Sequence, residues 1–555
     1  MLSGRLIPKA EGTKLLSGQW RGLHRRKLGI SLPIFLLALI LALLAPAAGA
    51  GTEGRVLLTV DCAQSSGQLS PYFFGVVSGP FYDAEGLALC KQAGFQLMEV
   101  LHDMAEEPSG GPGQPPRPPM GQREGPPPFG ERGGPPFPGP PPPWLRQEAG
   151  PGPMHRPNSF GEVKRWVDAC SRLKMAVMPA FIILGPPRDE EGFQRRITAE
   201  VKELQQIAAR HQTRIRLFRF GCEPDLREFW HGTPEQFYHT YKLWVQAVKA
   251  TDPQAIAVAP GFAAIESRPR AEPMGQCVKD FVDYCHRQQV PLDMLAIHGY
   301  GLDPEFSFGL PARAVGEYLR QFPRLSPIFG VARVADNEWN IPSRYPENVN
   351  PIFATAWAAA HNVAALIQML KNGVQLTVRL GGCSTAPPEL RRGQQEVEHL
   401  LVNSDRSKRP AYFGLAGINR FVNFPYQVLS KSNNRNYEIL AGFSPRKDQL
   451  YIAISHLPIE RLMEKERNLK ILHPMEERYI RQRTAQNPDS SQYALKIGQL
   501  PFSAKGKVRL RRYRVDEKTN GSLVEDRQMA NVKGIDLQQN LSGPGVDFIL
   551  LEPAD

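Results

Sequence analysis

The chain has 555 residues, of which 42% are hydrophobic and 22% are charged, and its formal net charge is +12. This balance is typical of globular proteins and excludes a wholly disordered chain, a collagen-like fibre and a multi-span membrane protein. Residues 1–50 hold seven Lys and Arg against one Glu and so account for +6, and the remainder has no dense basic patch interleaved with aromatic residues, which argues against a nucleic-acid partner.

The N-terminal region contains an uncharged apolar run at residues 28–45, preceded by the basic stretch 25–27 and followed by the small-residue site 48–50. This order predicts a secretory signal that is cleaved after Ala50. Eighteen residues also fall within the roughly 17 to 25 that span a bilayer, so an uncleaved anchor in the inner membrane is the alternative. Both interpretations predict export of the rest of the chain to the periplasm, cell surface or medium.

Residues 51–425 alternate between short apolar runs and amphipathic stretches, the pattern of strand–helix units with a parallel sheet. No Gly-rich phosphate loop follows an early strand, which disfavours a doubly wound open sheet. Eight such units fit an α/β fold of the (β/α)8 TIM-barrel type. The predicted strands cover residues 73–77, 95–101, 175–184, 215–220, 255–259, 294–298, 328–335 and 374–380.

A Pro/Gly-rich insertion occupies residues 107–157 and contains nineteen prolines. Such a segment cannot bury enough apolar surface to order itself, so we expect a mobile loop that is partly polyproline II. It leaves the C-terminal end of the second predicted strand, which is the active face of a barrel. A flap over a substrate groove, or a strap into cell-envelope material, is one interpretation. A tolerated low-complexity insertion is the other.

Residues 426–555 change to runs with period two, separated by turn-rich segments, which predicts a C-terminal antiparallel β-sandwich. The seven cysteines of the whole chain are odd in number and form no CxxC pair, so most of them should be buried apolar residues rather than a disulfide framework. No HExxH motif, Cys/His cluster or Asp-rich loop occurs. The sequence therefore predicts neither a metal site nor a cofactor.

Two carboxylates lie where predicted barrel strands end. Glu223, in the segment RFGCEPD, ends the fourth strand, and Glu338, in the segment ADNEWN, ends the seventh. Strand C-termini of a barrel converge on one mouth, so the two side chains should face each other. Two carboxyl groups about 5 to 5.5 Å apart are what retaining glycoside hydrolysis requires, one protonated to serve the leaving oxygen and one ionised to attack.

These motifs resemble those of clan A glycoside hydrolases, most closely family 39. Glu223 matches the acid/base of that family and Glu338 its nucleophile; the segments 229–238, 298–300 and 403–412 resemble the family as well. The similarity covers roughly residues 56–425. It implies a retaining enzyme that acts on a polysaccharide or oligosaccharide by double displacement and needs no cofactor.

The resemblance also implies roles for neighbouring side chains. Tyr300 would hold an oxygen of the nucleophile, and His298 would contact substrate or a carboxylate. Trp230 and Trp339 could stack on sugar faces, with core packing as the alternative. Cys222 stands where the family has an Asn that bonds the sugar 2-hydroxyl, and a thiol is a poor substitute.

A second departure is Glu99, which precedes His102 and Asp103 where the family would have an Arg. These departures motivate a rival hypothesis, a non-catalytic glycan-binding or envelope and exopolysaccharide-assembly protein on a degenerate barrel. A transglycosylase is a third alternative, since it would differ only in how well the mouth excludes water.

Overall fold

The computed structural model of the chain describes most of the sequence after residue 55. The predicted signal or anchor at 1–50 and the predicted insertion at 107–157 lie outside the described residues. Among the residues that are described, no helix is both long and apolar enough to traverse a bilayer. The described ranges are 56–79, 82–104, 158–227, 229–263, 275–341, 351–385, 400–461, 474–484, 489–502, 506–530 and 534–554.

The first strand, β1 (Val56–Gln68), joins a sheet that is otherwise C-terminal, and the next eight strands close into a parallel barrel. Each barrel strand lies within a few residues of its predicted position, so the predicted TIM barrel is confirmed. The barrel strands are β2 (Phe74–Val77), β3 (Leu97–Asp103), β4 (Ala176–Ile182), β5 (Leu217–Phe220), β6 (Ile256–Phe262), β7 (Met294–Tyr300), β8 (Arg333–Asn340) and β9 (Val374–Arg379).

Helices follow the barrel strands, and several begin at side-chain caps. Thr233 forms a capping box with Gln236, and Pro234 occupies the first helical position. The helices are α1 (Ala84–Gln92), α2 (Phe160–Arg172), α3 (Glu190–Arg210), α4 (Pro234–Thr251), α5 (Gln276–Arg287), α6 (Leu310–Leu319), α7 (Ala356–Lys371) and α8 (Pro410–Ile418).

The seventh barrel strand begins five residues later than predicted. β8 pairs with β7 and β9 in parallel, with register shifts in both ladders around residues 336–339. These irregularities let the polar stretch 336–340 continue the strand, although its composition indicates a loop. Glu338 therefore lies inside β8, directly opposite His298 of β7.

The C-terminal region contains the elements β10 (Tyr426–Ser432), β11 (Tyr437–Phe443), β12 (Leu450–His456), α9 (Pro474–Thr484), β13 (Gln492–Ile497), β14 (Lys507–Val515), β15 (Asn520–Met529), β16 (Ile535–Asn540) and β17 (Gly545–Ala554). With β1, its strands form one continuous nine-stranded sheet in the order β15-β14-β17-β12-β11-β10-β1-β13-β16. All pairs of strands in this sheet are antiparallel except that between β1 and β13.

This arrangement confirms the predicted antiparallel C-terminal sheet domain and corrects one boundary. The strands are joined in a single hydrogen-bonded sheet, and residues 56–68 belong to this sheet rather than to the barrel. The two faces of the sheet bury different cores. Tyr451 and Phe548 join the core that includes the barrel helices, whereas Ile452 and Ile549 face a second core with Leu58 of β1.

Candidate active site

Glu223 lies just beyond the C-terminal end of β5, in a sharply turned segment. Gly221 has φ +70 and Glu223 has φ +39, so both adopt the left-handed conformation, which is uncommon for a residue with a side chain. Such a residue costs about 1 to 3 kcal/mol and persists only where its surroundings hold it. The N–H of Glu223 donates to the carbonyl of Gly261 on β6 at 2.8 Å, which fixes the turn.

Gly261 also makes the space for the histidine of the site. A Cβ added at Gly261 would lie 1.9 Å from Nε2 of His298 and 2.6 Å from the side-chain amide group of Asn337. The imidazole ring of His298 therefore packs directly against the backbone of Gly261. Among the described residues, its Nε2 atom is buried without a hydrogen-bond partner. The other ring nitrogen, Nδ1, consequently faces the carboxylates.

The two predicted catalytic carboxylates lie on either side of His298. Nδ1 of His298 is 2.8 Å from Oε1 of Glu223 and 4.0 Å from Oε2 of Glu338. Because both distances share the Nδ1 atom, the two carboxylate oxygens are at most about 6.8 Å apart. Retaining glycosidases place their carboxyl groups about 5 to 5.5 Å apart and inverting ones about 6.5 to 9.5 Å, so this limit includes the retaining separation and excludes all but the shortest inverting separations.

Tyr300 orients the second carboxylate. Its hydroxyl donates to Oε1 of Glu338 at 2.7 Å, which leaves Oε2 directed towards His298. The side chains of Glu223 and Glu338 are 13% and 9% exposed, so both are largely shielded but reachable from the mouth. The structure thus brings together Glu223, Glu338, His298 and Tyr300, as the strand positions predict.

The charge of His298 is set by these carboxylates. Burial alone lowers the pKa of its imidazole, but the charge of Glu338 and the hydrogen bond to Glu223 oppose burial and raise this pKa to about 9. At neutral pH the imidazole is therefore positively charged and donates from Nδ1 to Glu223. His298 and Glu223 then share one proton across a 2.8 Å hydrogen bond.

Cys222 lies at the edge of this group. Its Sγ lies within 4.8 Å of ligand atoms of His298 and Glu338. Burial raises the pKa of the Cys222 thiol well above its ordinary value, although the Arg219 guanidinium opposes this shift. The side chain is therefore a neutral thiol at physiological pH.

A thiol, an imidazole and a carboxylate are donors that suit Zn²⁺. Here, however, a metal ion would have to displace protons from both Cys222 and His298, beside the buried cation of Arg219. Nδ1 of His298 is also engaged by Glu223. The residues do not favour a resident metal, and the absence of a metal and of a cofactor stays a prediction.

Beneath the carboxylates lies a layer of buried polar side chains whose contacts with one another the sequence did not predict. Arg219 donates to Glu99 at 2.5 Å, and both side chains are 0% exposed. The amide oxygen of Asn337, in its hydrogen-bonding orientation, accepts from Nε of Arg219 at 2.8 Å. Glu99, which departs from the family pattern on the second barrel strand, therefore forms an ion pair with Arg219. One charged residue within an otherwise apolar strand was the available signal for this pair.

Two further aspartates belong to the surroundings of the site. Asp225 accepts from the N–H of Ala263 at 3.1 Å, and burial raises its pKa to about 6, a shift that this hydrogen bond opposes. Asp336, two residues before Glu338, is 0% exposed, and burial raises its pKa well above the ordinary value. In the sequence, only the short motifs EPD and DNE indicate that these two aspartates lie close to the predicted catalytic glutamates.

The two tryptophans predicted to stack on sugars lie in the core instead. Trp339 is 1% exposed and packs edge-to-face on Phe308 at 6.2 Å between ring centroids. Trp230 is 3% exposed, packs on Phe237, and donates from Nε1 to the carbonyl of Thr233. Neither indole presents a face to solvent, so the core-packing alternative describes both. The hydrophobic effect places these large rings inside because residues of α4 and of the loop after β7 cover them.

The fold, a closed parallel barrel joined to an antiparallel-rich sheet domain, also occurs in solved structures of glycosidases. A glucosidase from Croceicoccus marinus has this fold, with a TM-score of 0.62 and 17% identity. A monomeric beta-xylosidase from Caulobacter crescentus CB15 also has it, with a TM-score of 0.57 and 15% identity. Each comparison covers 90% of this chain and 100% of the other, and at these identities the likeness shows the fold alone.

The sequence comparisons point to one family. Residues 199–422 match the profile described as Glycosyl hydrolases family 39. A beta-xylosidase of Caldicellulosiruptor saccharolyticus is 26% identical over 123 residues, 22% of this chain and 23% of that protein. A beta-xylosidase of Geobacillus stearothermophilus is 25% identical over 143 residues, 26% of each chain. These matches span about a quarter of the relatives' lengths. The chain thus resembles glycosyl hydrolases of family 39, and the resemblance that the sequence motifs predict is confirmed.

Proposed function

We propose that the protein is a retaining glycoside hydrolase in which Glu223 is the acid/base and Glu338 is the nucleophile. The observation that carries the proposal is the geometry around His298, which holds the two carboxylate oxygens within about 6.8 Å of each other at the mouth of the barrel. That separation leaves room for a glycosidic bond between the two groups but little for a water molecule behind the sugar.

In the first step, Glu223 protonates the glycosidic oxygen while Glu338 attacks the anomeric carbon. The C–O bond to the leaving group breaks, and an ester between the sugar and Glu338 forms. The hydrogen bond from Tyr300 occupies Oε1 of Glu338, which leaves Oε2 as the attacking atom. The proton transferred to the glycosidic oxygen is the one that His298 and Glu223 share, so this pair of side chains loses one proton in the step.

In the second step, Glu223 acts as a base. It takes a proton from water, whose oxygen attacks the anomeric carbon and releases Glu338 as a carboxylate. The proton gained returns the pair of His298 and Glu223 to its starting state. Each step inverts the anomeric centre, so the product retains the configuration of the substrate.

The substrate class follows from the proposed reaction and from the related proteins. We propose a polysaccharide or oligosaccharide with a β-linked pyranose, and we propose β-xylosides first because the two related proteins described above are beta-xylosidases. The thiol of Cys222 is a poorer hydrogen-bond donor than an amide, so we expect weaker binding of the sugar 2-hydroxyl. We therefore expect slower turnover than an enzyme with Asn at this position would show.

The proposed function is tested with the purified full-length protein and a panel of aryl glycosides and oligosaccharides. Release of sugar, with the anomer of the first-formed product identified by NMR, should show retained configuration. A matched Glu223→Gln variant controls for a contaminating enzyme. Glycan binding without release would instead favour the glycan-binding alternative, and transfer to sugar acceptors in preference to water would favour a transglycosylase.

The charge of His298 predicts the alkaline limit of activity. Because the pKa of its imidazole is raised from 6.5 to about 9, the pair of His298 and Glu223 keeps its shared proton below about pH 9 and loses it above. On its alkaline side, the pH profile of kcat/KM should therefore fall with a midpoint near pH 9. In a His298→Gln variant, which lacks the titrating imidazole, kcat/KM should fall at a different pH on the alkaline side. A wild-type profile that falls with a midpoint near 6.5 would contradict the assignment.

We further propose that the barrel is exported, because a basic stretch, an apolar run and a small-residue site follow one another in residues 25–50. N-terminal sequencing of the protein recovered from cell fractions tests this proposal. A chain that begins at Gly51 in the periplasm or medium indicates cleavage, and an intact chain in the membrane fraction indicates an anchor. An intact chain in the cytoplasm would contradict export.

A further inference from the structure

The loop of residues 301–309, called here the β7 loop, flanks the proposed nucleophile on two sides. It begins directly after Tyr300, whose hydroxyl donates to Glu338. Its Phe308 ring packs on Trp339, the residue that follows Glu338 in β8, and on His361 of α7. The position of this loop therefore determines both the donor to Glu338 and the packing behind it.

A carboxylate from the C-terminal sheet domain is inserted into this loop. Oε1 of Glu476, near the start of α9, accepts from the N–H of Leu302 at 2.7 Å, from the N–H of Asp303 at 2.8 Å and from the hydroxyl of Ser307 at 3.2 Å. Glu476 is 6% exposed. A Cβ added at Gly301 would lie 3.0 Å from the same oxygen, so the carboxylate packs directly against the backbone after Tyr300.

Other contacts from the sheet domain reach the same loop. The ring of Tyr479, one turn after Glu476 on α9, lies 5.2 Å from that of Phe306. Arg435, between β10 and β11, lies 3.6 Å from Glu305. The sheet domain thus contacts the active face of the barrel at the one strand that supplies both His298 and Tyr300.

The charge state of Glu476 bears on how it can be tested. Burial raises the pKa of its carboxyl to about 7, although the N–H groups of Asp303 and Leu302 oppose this shift. A neutral Gln at this position keeps an oxygen that can accept the same three hydrogen bonds. An Ala removes the acceptor and leaves two buried N–H groups without it.

We propose that Glu476 is a positioning residue of the active site, which acts through the β7 loop to hold Tyr300 against Glu338. The inference rests on the proposed glycosidase function. It gives the C-terminal sheet domain an indirect part in catalysis, because one buried oxygen of Glu476 accepts from the main chain two and three residues after Tyr300 and from the hydroxyl of Ser307. Glu476 touches neither the substrate nor the reacting atoms.

The test compares Glu476→Ala, Glu476→Gln and Glu477→Ala in the full-length protein. Glu477 is the matched control, because it is the next residue of α9 and pairs with Arg481 on the helix surface. We expect kcat to fall about 10- to 100-fold in Glu476→Ala with KM changed less than threefold, the scale of a misplacement of about 1 Å. Glu476→Gln should restore kcat to within about threefold of wild type, and Glu477→Ala should resemble wild type.

Hydrogen exchange of the β7 loop amides provides a second readout that does not depend on activity. Exchange at Leu302 and Asp303 should be faster in Glu476→Ala alone. Unchanged exchange in Glu476→Ala overturns the inference, and so does faster exchange with kcat unaltered or with KM alone raised. If the wild-type protein cleaves no glycoside, the proposed function fails and the positioning role fails with it, whereas the exchange data still show whether Glu476 holds the loop.

Discussion

Replacing Glu338 with Gln should lower kcat by about four to six orders of magnitude, the range seen when a catalytic nucleophile is removed. The amide keeps the shape of the carboxylate, and its oxygen can still accept from Tyr300, so the fold should not change. What the amide lacks is the negative charge and the nucleophilicity needed to form a glycosyl ester. Steady-state kinetics on an aryl glycoside measures the loss.

Two controls make the Glu338→Gln result specific. Glu235→Gln, an exposed position in the first turn of α4, applies the same chemical change away from the site and should leave kcat within about twofold of wild type, as surface substitutions do. Thermal unfolding of both variants should match that of wild type to within a few degrees. If Glu338→Gln keeps more than a tenth of wild-type activity, another residue is the nucleophile.

Replacing Glu223 with Ala should produce a loss that depends on the leaving group. A sugar leaving group needs the proton, so kcat/KM for oligosaccharides should fall by about 10² to 10⁴, the usual contribution of general acid catalysis. A nitrophenolate leaves without protonation, so formation of the glycosyl ester from such a substrate should continue. Hydrolysis of the ester then lacks its base, and the ester should accumulate as a burst of nitrophenol.

Added azide distinguishes this outcome from general damage to the site. Azide needs no base, so it should attack the accumulated ester, restore turnover in Glu223→Ala and yield a glycosyl azide of retained configuration. Glu235→Ala is the matched control and should show neither the burst nor the azide product. An equal loss on oligosaccharides and nitrophenyl glycosides, without azide rescue, would contradict the assignment of Glu223.

The sequence predicts the barrel well because its signals are local. Each barrel strand is a short apolar run bounded by polar residues, and the carboxyl ends of parallel strands must converge, so Glu223 and Glu338 are expected at one mouth. The end of β8 is less clear from sequence. Its polar stretch 336–340 does not resemble a strand, and only pairing with β7 and β9 shows that it continues as one.

The sheet domain illustrates what local patterns do not contain. β1 has an alternating start, but its partners are β10 and β13, more than 350 residues further along the chain. No periodicity in residues 56–68 shows that they pair with the C-terminal region rather than with the barrel. Period two predicts the antiparallel strands of this domain, but it shows which residues face a core and not how many cores there are.

The buried surroundings of the site were beyond sequence reasoning because they depend on pairing across long separations. Arg219 and Glu99 stand 120 residues apart, and Glu476 is 174 residues from Leu302. A charged residue in an apolar strand signals that a partner exists, but it does not identify the partner. For Trp339, in contrast, the local sequence suggests a contact that the structure does not show. Its place beside a catalytic motif suggests contact with a sugar, whereas Phe308 covers it.

The most direct test of the double-displacement mechanism is to trap its covalent intermediate. A 2-deoxy-2-fluoro glycoside with a good leaving group should form the ester and hydrolyse it slowly, so that the intact protein gains the mass of one fluorosugar. Peptide mapping should then find the label on the carboxylate of Glu338, and competing substrate should slow its appearance. A label on Glu223 or on any other residue, or an active enzyme whose product has inverted configuration, would contradict the proposal.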